Sequence, residues 1–362
     1  MTQSLYVHIP FCKHICSYCD FCKVYYKEDW VDLYLDELEK EIKGKDLKDP
    51  LHTLYIGGGT PTALCYDQLQ RLMDILKPYT QNIKEYSIEM NPETVDFKKL
   101  QILKKGGITR LSLGVQTFQE QLLPLISRYH DNKNVEDVIC QARTLGFDNV
   151  SIDLMYGIPQ QSFEDIQKDL SYVKTLDIDH ISYYSLILEE HTVLSNIQYQ
   201  PLDEQEEGYY YDYIEKELNK MGFEKYEVSN FARAGKRSLH NQVYWHYDDY
   251  IGVGLGAHGK VQGVRYQNTR SLTAYLKGQY LESKEVLEKA DQMFEMVMMG
   301  LRLTDGVSLQ KFRERFNEDL VPIYQEAIHK YVKMHLLEIK EGCLTTTKQG
   351  MNYLNEILID FL

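Results

Sequence analysis

From Leu5 to Leu186, short β-rich runs and amphipathic runs take turns, and this alternation limits the fold more than any other feature. Residues 5–9, 53–56, 85–89, 110–115, 150–154 and 180–186 read as strands. Residues 30–42, 67–76, 96–105, 135–145 and 163–176 read as the intervening helices. Strands that alternate with helices must run parallel, because each helix returns the chain to the same end of the sheet. Repeated six times without a long interruption, the pattern predicts an α/β fold built on a partial (β/α)6 barrel. A doubly wound sheet is the alternative that periodicity alone leaves open. Either way, functional groups are expected at the C-terminal ends of the strands.

The rhythm changes from Pro201. Residues 203–221 predict one acidic, Tyr-rich helix, 226–231 a strand, and a glycine-rich segment follows at 252–259. From Glu285 the pattern is mostly helical, with a hairpin at 337–345 turning at Glu341-Gly342; helices followed by a small hairpin predict a winged-helix-like module. The expected division is 1–200 for the barrel, 201–284 for its extension and 285–362 for the C-terminal helical domain.

Charge excludes some functions. Asp and Glu total 54 against 40 Lys and Arg, a formal net charge of −14. Such a chain repels a phosphate backbone, so nucleic acid is not an expected partner. Acidic residues also outnumber basic ones from Glu285 onward, so the C-terminal module is expected to pack or to bind a protein partner. No run is long and apolar enough to span a membrane, and Met1-Thr2-Gln3-Ser4-Leu5 opens no leader, so a cytoplasmic protein is expected.

Four of the 7 cysteines crowd into the loop after the first strand. Cys12, Cys16 and Cys19 form C-x3-C-x2-C, with Cys22 following. Thiolates are soft donors that select zinc or iron–sulfur clusters. Four of them would close a tetrahedral zinc site. Three would hold a cubane 4Fe-4S cluster and leave one iron open to a further ligand. Gly57-Gly58-Gly59-Thr60 follows the second strand and lacks the Lys ending of a P-loop. Glu89, Gln116 and Asp153 lie at or near the ends of later strands, and Arg128 lies on a loop beyond Gln116. Together they would ring a polar ligand at the barrel mouth. Gly252 to Gly259 fails the dinucleotide pattern, because Ala257 replaces the third glycine.

The run Tyr6-Val7-His8-Ile9-Pro10-Phe11-Cys12 through Cys19-Asp20-Phe21 resembles the signature of radical S-adenosylmethionine (radical SAM) enzymes, within their coproporphyrinogen-oxidase-like branch. The resemblance implies that Cys12, Cys16 and Cys19 hold a 4Fe-4S cluster whose open iron takes S-adenosylmethionine. It also implies that Tyr6, Tyr18, Gly57, Gly58, Gly59, Thr60, Glu89, Gln116, Arg128 and Asp153 contact that cofactor. Oxygen-independent coproporphyrinogen III oxidases carry a further cysteine where this chain has Phe21, and Cys22 does not match it in offset.

His240-Asn241-Gln242-Val243-Tyr244-Trp245 has the H-N-x-x-Y-W pattern of the haem-chaperone family HemW. That resemblance implies haem as cargo, with His240, Asn241, Tyr244 and Trp245 as candidate haem contacts and haem-requiring respiratory proteins as recipients. It further implies a homodimer and peripheral membrane contact. The similarity runs from Ser4 to about Leu362, with further matches at Tyr226 to Ala232, Gly254 to His258 and Gly300 to Thr304. Phe21, the H-N-x-x-Y-W motif and the short segment before Cys12 favour the chaperone. Radical decarboxylation of coproporphyrinogen III and a zinc-stabilised binding protein are the rival readings.

Overall fold

The structure is a computed structural model that describes residues 4–47, 50–196 and 199–362. Met1-Thr2-Gln3, part of the segment expected to open no leader, lies outside them. The six expected barrel strands are present: β1 (Ser4–Ile9), β2 (Thr53–Gly58), β3 (Glu85–Met90), β4 (Arg110–Gln116), β5 (Val150–Tyr156) and β6 (His180–Ser185). Each lies parallel to the next in chain order. A doubly wound sheet would reverse that order at a switch point. This one does not, and the fold is a partial barrel.

Helices α1 (Glu28–Lys43), α2 (Tyr66–Leu76), α3 (Phe97–Lys105), α4 (Asn132–Thr144) and α5 (Phe163–Val173) make the crossovers. Their ends are written in the sequence. Asp131 and Ser162 each complete a capping box, and Asp96 accepts from the backbone N–H of Lys99. Strand alternation decides which faces meet. Leu5, Val7, Leu54, Ile56, Ile88, Leu111, Leu113, Ile152 and Ile181 are fully buried against the helices in one continuous core. The residues between them, Glu89, Ser112, Gln116, Asp153 and Ser182, face a cleft inside the barrel. A period of two thus gives an apolar outside that packs and a polar inside that binds.

The barrel does not close. Helix α6 (Glu204–Lys220) leads to β7 (Asn230–Ala232), which pairs antiparallel with β6. The expected strand over 226–231 is instead a hairpin, with β7 pairing back on Glu224–Lys225. The Glu227 carboxylate accepts from the Ser229 N–H at 3.1 Å and tightens the turn between them. On the other edge, β8 (Tyr250–Val253) pairs parallel with β1. It continues as a meander through β9 (His258–Val261), β10 (Val264–Asn268) and β11 (Leu281–Val286). The glycine-rich segment is therefore a strand–turn–strand and not a nucleotide loop. Among the described residues the whole sheet has 12 strands.

Between β7 and β8, helix α7 (Leu239–Trp245) is tied to the starts of the barrel strands. The Glu85 carboxylate accepts from the backbone N–H groups of Leu239 (2.9 Å) and His240 (3.0 Å). Helix α8 (Lys289–Gly300) then opens the C-terminal helical domain, whose separate core gathers Val297, Leu301, Phe312, Leu337, Leu344 and Ile357. Its hairpin, Leu337–Lys340 against Cys343–Thr346, turns where expected, with Glu341 and Gly342 both at positive φ.

Candidate functional site

The C-terminal mouth of the barrel opens into a cleft of about 440 Å³, and the cysteine loop forms one wall of it. Cys12, Cys16 and Cys19 all line this cleft. Cys12 is buried, and burial pushes its thiol up to about 12, with the Thr60 hydroxyl at 3.8 Å partly offsetting the rise. Burial also raises the Cys19 and Cys22 thiols. Three soft donors spaced along one loop, facing an open cleft, suit a larger polynuclear cluster. Cys22 lines a different cavity, beyond Asp20 and Phe21.

The glycine run lets this loop sit close to β2. A Cβ on Gly57 would lie 2.9 Å from the Glu89 carboxyl group. One on Gly58, at φ +115°, would lie 2.6 Å from the His8 ring. One on Gly59 would lie 2.7 Å from the Pro10 carbonyl and 2.9 Å from Cys12 Sγ. Only glycine fits three successive approaches of this kind. His8 Nε2 donates to the Cys22 carbonyl at 2.7 Å, and Nδ1 then accepts from the Tyr6 hydroxyl at 2.9 Å. The far end of the loop is thereby fixed to β1.

Polar groups from successive strands close the other side. The Gly58 N–H (3.0 Å) and the Tyr55 hydroxyl (2.8 Å) both donate to Glu89. Burial, with Asp153 nearby, still raises that carboxyl to about 7. Asp153 is likewise raised by burial and accepts from Ser112 Oγ at 3.3 Å. Gln116 ends β4 at φ +70°, where the ladder to β5 slips by one residue. A left-handed glutamine costs about 1–3 kcal/mol and is found where a side chain must be aimed. Arg128 is buried; it donates to the Gly114 carbonyl and reaches Cys16 Sγ at 3.8 Å, while its Nε has no partner among the described residues. This is a buried cation held beside a thiol with hydrogen-bonding capacity to spare.

The expected residues therefore divide. Tyr18, Gly58, Gly59, Thr60, Glu89, Gln116, Arg128 and Asp153 line the cleft with the three cysteines. Gly57 stands behind it. Tyr6 faces the neighbouring cavity and stacks on Tyr55 at 6.2 Å. Asn91, Arg110, Ser112, Ser182 and Tyr184 also line the cleft and were not among the expected residues. Asn91 lies two residues beyond Glu89 in the same strand-end segment, and the serines alternate with apolar residues along their strands. Those were the available signals.

Of the H-N-x-x-Y-W residues, Asn241, Tyr244 and Trp245 together line a cavity of about 360 Å³. Asn241 also reaches the cysteine cleft, Tyr244 the neighbouring cavity, and Trp245 the side facing the C-terminal domain. His240 is fully buried and stacks on Tyr55 at 5.1 Å. Its Nδ1 meets Thr53 Oγ1 at 2.7 Å and its Nε2 meets Tyr244 Oη at 2.9 Å, so both ring nitrogens are engaged inside the protein. Burial, with Arg110 nearby, lowers this imidazole to about 3. His240, expected among the haem contacts, here fastens α7 to the barrel through both ring nitrogens.

Known proteins share this arrangement. The Radical SAM superfamily model matches residues 6–173, and the HemN C-terminal domain model matches 287–353. The chain is 39% identical to the haem chaperone HemW of Bacillus subtilis (strain 168), with 99% of each chain covered. It is 37% identical to HemW of Lactococcus lactis, covering 99% of this chain and 97% of that one. The chain belongs to the HemW family of haem chaperones. HemW of Escherichia coli (strain K12) is 32% identical, covering 99% of this chain and 98% of that one. Among solved structures, the radical SAM enzyme coproporphyrinogen III oxidase (HemN) of Escherichia coli superposes with a TM-score of 0.87 at 25% identity, over 99% of this chain and 90% of that one. This chain thus shares the oxidase's architecture. Among the described residues, no helix is long and apolar enough to cross a membrane.

Proposed function

We propose that this chain is a haem carrier that binds a 4Fe-4S cluster and S-adenosylmethionine in its barrel and passes haem to haem-requiring respiratory proteins. The observation that carries the reading is end-to-end similarity to haem chaperones, at 39% identity over 99% of both chains. Cys12, Cys16 and Cys19 would hold the cluster, whose open iron would bind and polarise the cofactor's amino and carboxylate groups. Gly58, Gly59 and Thr60 would admit the methionine end close to the backbone. Arg128 offers the spare donor that a carboxylate needs, and Glu89 and Asp153 are acceptors for ammonium and ribose hydroxyl groups. Tyr18 would pack against the adenine. Residence in the cytoplasm, dimerisation, contact with the membrane surface, and domain divisions at 200 and 284 belong to the same reading.

The superposition on the oxidase favours a second reading, oxidative decarboxylation of coproporphyrinogen III. Phe21 bears against it, since it stands 63% exposed at the cleft rim where those oxidases are expected to place a cysteine. The deciding assay supplies cluster-loaded protein with S-adenosylmethionine, a reductant and coproporphyrinogen III under anaerobic conditions. A carrier yields no protoporphyrinogen while the cluster stays intact. Sustained conversion would make the chain an oxidase.

A further inference from the structure

A second cavity, of about 570 Å³, lies on the other side of the cysteine loop. Asp20 and Phe21 line both this cavity and the cofactor cleft, so the loop is a shared wall. The volume lies within the roughly 300–1,000 Å³ of small-molecule clefts. Its lining combines the aromatic rings of Tyr244 and Tyr250 with the thioethers of Met298 and Met299 of α8, and Lys260 and Glu295 add charged groups. The turn before β9 brings His258 to this cavity. Gly256, at φ +70°, permits that turn, since a Cβ there would lie 2.5 Å from Cys22 Cβ. The glycine-rich segment thus seats a histidine beside the end of the cluster loop.

His258 differs from the other imidazoles nearby. His8 and His240 each have both nitrogens hydrogen-bonded. His258 is exposed to the cavity, and its ring makes no hydrogen bond among the described residues. Partial burial and the guanidinium groups of Arg270 and Arg265 lower it from the usual imidazole range, which favours the neutral ring with its lone pair free. The cations at the rim are not equivalent. Arg265 pairs with Glu295 and Glu285. Arg270 donates to the Asp20 carbonyl at 3.1 Å and has no carboxylate ion pair among the described residues.

We infer that this second cavity is the haem seat, with His258 as the axial donor to iron and Arg270 as the partner of a propionate. The inference rests on the haem-carrier reading and adds the location. The aromatic and thioether groups offer apolar contact to a macrocycle, a neutral imidazole is an iron ligand, and an unpaired guanidinium recognises a carboxylate. The seat would also place cargo beside the cofactor cleft. The Arg270 contact to Asp20 and the His8 bond to Cys22 both end on the segment that separates the two cavities.

The test is a titration of the cluster-loaded full chain with haemin and, separately, with iron-free protoporphyrin IX, read as difference spectra. His258→Ala should weaken haemin binding about tenfold or more and alter the Soret band, while leaving protoporphyrin affinity near that of the unmodified chain. Free imidazole should restore the band. Arg270→Glu should weaken both ligands. If the unmodified chain gives no haemin spectrum, the haem-carrier reading itself fails. If it binds haemin and His258→Ala binds with the same affinity and spectrum, the carrier reading stands and this seat is overturned.

Discussion

Glu89 shows how a single residue carries both the fold and its sensitivity to pH. Burial lifts its carboxyl to about 7 despite bonds from Tyr55 and Gly58. Between the ordinary carboxylate range and pH 7, the folded chain therefore keeps a proton that the unfolded chain has lost. Folding stability falls as pH rises through that window and levels off above it. Glu89→Gln removes the ionisation. Without cofactor, its stability relative to the unmodified chain should rise by about 2–3 kcal/mol between pH 4.5 and pH 8. Denaturant curves at both pH values read this out, and a difference that does not change with pH would contradict it. Cys16 tests the cluster assignment at the same scale. Cys16→Ala leaves two of the three thiolates, so bound iron and sulfide should drop after anaerobic reconstitution. Undiminished content would remove Cys16 from the ligand set.

The strands, helices and caps of the barrel were legible because their signals are local. A period of two marks the strands, a 3.6-residue period marks the helices, and Asp96, Asp131 and Ser162 announce three helix starts. The cysteine spacing and the strand-end polar residues were equally legible, since a barrel brings strand ends together. The meander of β8 to β11 was not. Its strands are short, edge-exposed and mixed in polarity, and its attachment to β1 is a long-range pairing that no local pattern encodes. The place of His240 was hidden for the same reason: Thr53, 187 positions away in sequence, takes one of its nitrogens. Two variants test these long-range joints. Glu85→Ala removes the acceptor for the backbone N–H groups at the start of α7 and one of the carboxylates near the buried Arg110. It should cost about 2 kcal/mol or more in unfolding measurements. Gly58→Ala must place a methyl against the His8 ring at positive φ. It should lower the melting temperature by several degrees, whereas an unchanged melting temperature would mean that β2 and the cysteine loop are not packed as described.

Across the whole molecule, one polar barrel interior serves two cavities separated by a single loop. The barrel strands set the cofactor cleft, and the meander and α8 add the second cavity on the open side of β1. Opening the barrel at this edge leaves space for a second cavity that a closed barrel, filled by its own side chains, would not have. The C-terminal domain contributes to that cavity through Met298 and Met299 while keeping its own core. The architecture is that of an oxidase, and its use as a carrier depends on what leaves the protein, not on the fold. The most direct measurement loads the cluster-bearing chain with haem, removes free haem and follows the Soret band of a haem-free respiratory acceptor. The carrier account predicts that the acceptor fills faster than it does from an equal amount of haem bound to albumin. Equal rates from both sources, or haem that stays with this chain, would contradict it.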